Sequence, residues 1–125
     1  MTSHNVSIAS QIKTEFSTNK ILEMAIRSKE EGQIKFFIRY NSLQKISFDQ
    51  FTVDATRDED LDIADIPSEI FRRFCMLIYD TICDLHIDLD YTHIIVDWKF
   101  DLSNEADWMK EVKIRINKEV HIKSM

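Results

Sequence analysis

Between Cys83 and His93 the chain reads CDLHIDLDYTH, which gathers Asp84, His86, Asp88, Asp90 and His93 within a few turns of backbone. Carboxylate oxygens and imidazole nitrogens are the donors that zinc, manganese and magnesium take. A metal-dependent hydrolase or nuclease could be built from them. The spacing matches no established ligand frame, however, and the acids alternate with Leu85, Ile87 and Leu89, which can pin a corner to a core while the acids face water. Acids at a helix C-terminus oppose the helix dipole, so helix stability alone does not account for them. The expectation is a helix–strand corner with no metal or other cofactor, and metal binding is the lesser alternative.

A second set of residues could hold nucleic acid. If the two apolar–polar alternating regions form one sheet, Lys35, Phe37, Arg39, Lys99, Lys113 and Arg115 share its outer face with His93 and Ile95. Basic and aromatic side chains on an open sheet can neutralise and stack on single-stranded RNA. Only one exposed aromatic is expected there and the chain carries a net charge of −6, which argues against nucleic acid as the partner.

The acids themselves are unevenly spread. Residues 54–109 hold fifteen acids and four bases, whereas the segments before and after them are net basic. The densest run, DATRDEDLDIAD at 54–65, supplies Asp58, Glu59, Asp60, Asp62 and Asp65. Such a surface steers cationic partners over a range of about 10 Å in physiological salt.

Hydrophobic period decides which elements position these groups. Ile8, Ile12 and Phe16, then Ile21, Leu22, Ala25 and Ile26, predict helix from about Ser7 to Glu31, in one piece or broken at the Ser-Thr-Asn of 17–19. Gly32 fits a helix C′ position with positive φ. Ile34, Phe36, Ile38 and Tyr40 alternate as a strand; NSLQK is the expected turn, and ISFDQFTV the returning strand, with a bulge near Asp49 or Gln50. The acidic segment 54–66 is expected as a surface loop. Pro67 suits the first turn of a second helix ending near Leu85. Ile94, Val96, Trp98, Phe100 and Leu102 set the phase of a third strand, and Val112, Ile114, Ile116, Val120 and Ile122 that of a fourth.

The predicted fold is therefore α+β, a single domain over 1–125 with α-β-β-α-β-β order and a four-stranded antiparallel sheet carrying two helices on one face. One glycine in 125 residues excludes a P-loop, a dinucleotide-binding loop and a G-x-S-x-G elbow. No nucleophile, base and orienter can be assembled in sequence, so no enzyme is expected. Cys75 and Cys83 fall in one helix about 12 Å apart, too far for a disulfide. Reduced thiols, the absence of a membrane span and the lack of a signal sequence suit a cytoplasmic protein. The function expected is protein binding: a small acidic inhibitor or immunity-type module covering a basic site on its partner. A homodimer through the long last strand or through the helix faces is a further expectation.

Overall fold

The computed structural model describes residues 3–50, 53–56, 59–60, 64–104, 108–120 and 122, with the backbone alone at 3–4, 53–54 and 59–60. Among these residues three helices and six strands follow in the order α1 (Ser3–Thr18), α2 (Lys20–Arg27), β1 (Glu31–Arg39), β2 (Ser42–Phe48), β3 (Val53–Asp54), β4 (Glu59–Asp60), α3 (Ser68–Asp84), β5 (Thr92–Phe100) and β6 (Met109–Lys118). The main sheet has strand order β2-β1-β5-β6, and every neighbouring pair is antiparallel. The fold is α+β, as the periodicity predicts. The two halves interlock at β1 and β5, which lie side by side in the centre.

Helix is interrupted at Asn19. The hydroxyls of Thr14, Ser17 and Thr18 donate to the carbonyls four residues back, at 2.8–2.9 Å, which loosens the end of α1. Asn19 then leaves helical geometry, and its Oδ1 accepts the Leu22 amide at 3.1 Å as the N-cap of α2. Pro67 precedes the first residue of α3, where its fixed φ of −58° is compatible and its missing N–H is no loss.

Several expectations need correcting. Helix ends at Arg27 with Ser28 as cap, so Gly32 is not a helix terminus; it lies in β1 and has no positive φ. Its lack of a side chain serves a close approach instead, because a Cβ there would stand 2.5 Å from the Trp98 ring. The β1–β2 turn is not NSLQK but the two residues Tyr40 and Asn41, both left-handed with φ of 58° and 54°. Two such residues between strands give the turn whose twist matches the strands. Tyr40 accordingly leaves the core face and is exposed. The bulge falls at Gln44, not near Asp49: Phe37 faces Lys45 and Ile38 faces Leu43. This extra residue brings Leu43 into phase with Ile46 and Phe48 against the core. The acidic 54–66 segment is not all loop, since β3 and β4 pair within it; Phe51 lies outside the described residues. β6 starts earlier and stops earlier than 112–122. Its partner β5 begins at Thr92, opposite Lys118, so Val120 and Ile122 extend past the ladder, 78% and 90% exposed.

One apolar core fills the space between the helices and the inner face of the sheet. Ile34, Phe36, Ile38, Ile94, Val96, Trp98 and Phe100 rise from β1 and β5 to meet Ile8, Ile12 and Phe16 of α1 and Ile70, Phe74, Ile78 and Ile82 of α3. Phe74 packs edge-on against both Trp98 and Phe100, each at 5.6 Å between centroids. No helix among the described residues is long and apolar enough to cross a membrane.

Candidate functional site

The corner after α3 is built by its own side chains. Asn5, buried in α1, donates from Nδ2 to the carbonyls of Leu85 (2.8 Å) and Ile87 (3.1 Å), which ties the corner to the first helix. Leu89 is fully buried, while Ile87 points outward. Asp88 Oδ1 accepts the Asp90 amide at 2.9 Å. Asp90 Oδ1 accepts two amides, from Tyr91 and from Asn41 in the distant β1–β2 turn, each at 3.0 Å. Lys118 Nζ donates to the Asp90 carbonyl at 2.5 Å and lies 3.7 Å from Asp88. Asp88 and Asp90 thus hold left-handed backbone in place, and Tyr91, at φ 54°, is part of what they hold. Asp84 and His86 are exposed. His93 is turned away onto the outer sheet face. Among the described residues no group of three or more His, Cys, Asp or Glu converges as a metal site would require.

The outer face brings Lys35, Phe37, Arg39, Lys99, Lys113 and Arg115 together as the strand phase predicts, but most of the cations are engaged. Arg39 pairs with Glu119 at 3.0 Å, Arg115 with Asp97 at 3.0 Å, Lys113 with Glu111 at 3.2 Å and Lys99 with Glu31 at 3.7 Å. His93 Nε2 and Glu119 Oε1 share a short hydrogen bond, and this contact, with Arg39 beside it, lowers the Glu119 pKa. The His93 ring leans on Phe37 with centroids 4.3 Å apart, and Lys45 Nζ lies 5.2 Å from the Phe37 centroid. Ile95, expected on an open surface, is 4% exposed; in the strand register it lies between Lys35 and Arg115. Tyr40 and Tyr91 meet edge-on at 6.0 Å at one end of this face. The sequence hid that pair because Tyr40 shares the core parity of its strand. Asn41 after it, a residue tolerant of left-handed backbone, was the available signal.

On the helix side a cleft of about 250 Å³ opens between α1 and α3, lined in part by Lys13, Phe16, Glu23, Arg72 and Cys75. Burial pushes the Cys75 thiol up to about 12, with the Glu23 charge adding to it. A thiol so raised is no nucleophile near neutrality. Native protein treated with iodoacetamide at pH 8 is expected to be labelled at the half-buried Cys83 and to leave Cys75 unmodified, as peptide mass mapping would read; equal labelling would contradict this burial.

The acidic excursion between β2 and α3 is fastened at both ends by cations of the α2–β1 junction. Lys29, itself buried, directs Nζ to the Asp49 carbonyl where the chain leaves. Arg27 Nε donates to the Ile66 carbonyl at 2.8 Å where it returns, and the Ile66 amide donates back to Arg27 at 2.9 Å. Between these points the backbone pairs Val53 with Asp60 and Asp54 with Glu59. Of the sequence-predicted acids, Asp65 is exposed beside this anchor, Glu59 and Asp60 are described in backbone only, and Asp58 and Asp62 lie outside the described residues. Neither Lys29 nor Arg27 was singled out by the sequence, since a cation that grips a distant carbonyl has no local pattern.

These features define a class by architecture: a small α+β protein with helices on one face of a four-stranded antiparallel sheet and a two-stranded acidic ribbon in the chain between β2 and α3. Comparison with protein families, with curated proteins and with solved structures found no match.

Proposed function

We propose that this chain is a protein-binding module that offers its acidic excursion, with Asp58, Glu59, Asp60, Asp62 and Asp65, to a basic surface on a partner protein. An inhibitor or immunity-type role, in a cytoplasm that keeps Cys75 and Cys83 reduced, is the form this takes. The observation that carries the reading is the register of the small ribbon, which sets Asp54 opposite Glu59. Like charges at facing positions of an antiparallel pair are unfavourable. The chain nevertheless fastens both ends of this segment with Lys29 and Arg27. Setting residues of like charge at facing positions of a backbone pair gains nothing in stability. It gains on-rate and selectivity toward a cationic partner, whose approach relieves the repulsion.

The experiment is a pull-down from the native host with the wild-type chain and with the triple variant Asp58→Lys, Glu59→Lys, Asp60→Lys. Capture of a basic protein by the wild type is expected to fall by roughly ten- to a hundredfold in the variant, about 1.4–2.7 kcal/mol. The variant's thermal midpoint is expected to stay level or rise. Equal capture by both chains, or lost capture accompanied by unfolding, removes the support for this surface.

A further inference from the structure

The two edges of the sheet are built differently. Edge β2 is seven residues long and is interrupted by the bulge at Gln44, whose side chain turns back to donate to the Arg39 carbonyl at 3.1 Å. Bulges and short length are how edge strands avoid pairing with other chains. Edge β6 is ten residues long, and its register with β5 is unbroken from Glu111 to Lys118.

Which peptide groups of β6 face outward follows from one hydrogen bond. The Glu119 amide donates to the Tyr91 carbonyl at 2.8 Å. In an antiparallel ladder the bonded pairs alternate, so the odd-numbered residues of β6 spend their peptide groups on β5. The even-numbered ones, Val112, Ile114, Ile116 and Lys118, turn theirs toward the edge. Val120 and Ile122, of the same parity, are branched apolar residues left exposed beyond the reach of β5.

We propose that β6 pairs antiparallel with β6 of a second copy of this chain, with the twofold axis at Ile116. Charge disfavours the registers on one side of it, and an axis at Asn117, which sets Arg115 against Glu119, is the competing register that the Asn117 variants below tell apart. An axis at Ile114 sets Lys113 against Arg115. An axis at Arg115 sets Glu111 against Glu119, and one at Lys113 sets that lysine against itself. With the axis at Ile116, Lys113 faces Glu119 and Arg115 faces Asn117, both in the closer, non-bonded pairs where side chains interact most. The outward peptide groups of Val112, Ile114, Ile116 and Lys118 then meet counterparts, Val120 faces Val112 of the second copy, and Ile122 lies along its Lys110. The result is one continuous eight-stranded sheet in which the overhanging tail has a partner.

Asn117 tests the register because its side chain is exposed and opposes Arg115 only across the dyad. Sedimentation equilibrium of the wild type is expected to give twice the 14.8 kDa chain mass. Asn117→Glu is expected to tighten the dimer about tenfold and Asn117→Arg to loosen it about tenfold, opposite shifts that a folding defect cannot produce. Val120→Asp, at a position exposed in the single chain, is expected to loosen it as well. A single-chain mass for the wild type at every soluble concentration overturns the proposal. So does a dimer whose dissociation constant is the same in the two Asn117 variants, which would place the contact at another register or on another surface.

Discussion

Phe74→Ala is expected to lower the unfolding free energy by about 3–5 kcal/mol. Phe74 has no exposed surface, and its ring touches aromatic side chains from both layers: Trp98 and Phe100 of β5 at 5.6 Å and Phe16 of α1 at 6.2 Å. Truncation removes the transfer energy of a benzyl group and the edge-to-face contacts, and it leaves a void that three large rings cannot fill without leaving their rotamers. A domain of this size has roughly 5–15 kcal/mol in all, so the variant approaches the limit of folding at 25 °C. Urea titration reads the effect as a fall in midpoint with little change in slope. A loss below about 1 kcal/mol would mean that α3 does not join the layers as described.

Gly32→Ala is expected to cost about 3 kcal/mol, the upper end for overpacking a core. Elsewhere in a strand this change is mild or favourable, because alanine has less backbone freedom to lose. Here the added Cβ falls 2.5 Å from Cζ2 and 2.8 Å from Cη2 of Trp98, a ring that is itself buried and wedged against Phe74. Trp98→Phe should return part of the loss, since it removes the six-membered half of the indole that the methyl strikes. The same change removes the indole N–H, a buried donor that has no hydrogen-bond partner among the described residues. A double-mutant cycle between positions 32 and 98 gives the coupling directly. An additive result would show that the approach of ring to backbone is not what keeps residue 32 a glycine.

The contrast between these two sites shows what the sequence could reveal. Phe74 sits four residues after Ile70 and four before Ile78, and period alone places it in the core. The alternation Ile94, Val96, Trp98, Phe100 likewise sets the phase of the central strand. Gly32 carries no such pattern: the residue that forbids a side chain there lies sixty-six positions away, and the local text EEGQ reads as a helix stop. The hairpin turn was misplaced for a related reason. A tyrosine in the left-handed region is disfavoured on its own, and here it is held by an amide contact from Asp90 to the next residue, again a long-range fact. The corner at 84–93 could be recognised as a corner from the spacing of Leu85 and Leu89. That Asp88 and Asp90 spend their carboxylates on backbone amides was beyond reach, since acids bound to peptide groups and acids awaiting an ion have the same spelling. The acidic run was plain in the composition; its fastening by Lys29 and Arg27 was not.

The Asp90 carboxylate joins the amide beside it to one forty-nine residues earlier. A chain emerging from the ribosome therefore makes β1 and β2 well before it makes the group that latches their turn, and before β5, on which β1 must lie, exists at all. The first half of this protein cannot complete its sheet until the later half has been made. Its strands wait, edges bare, for the later half to arrive, and the span of that wait is when the nascent polypeptide most needs shelter from its neighbours.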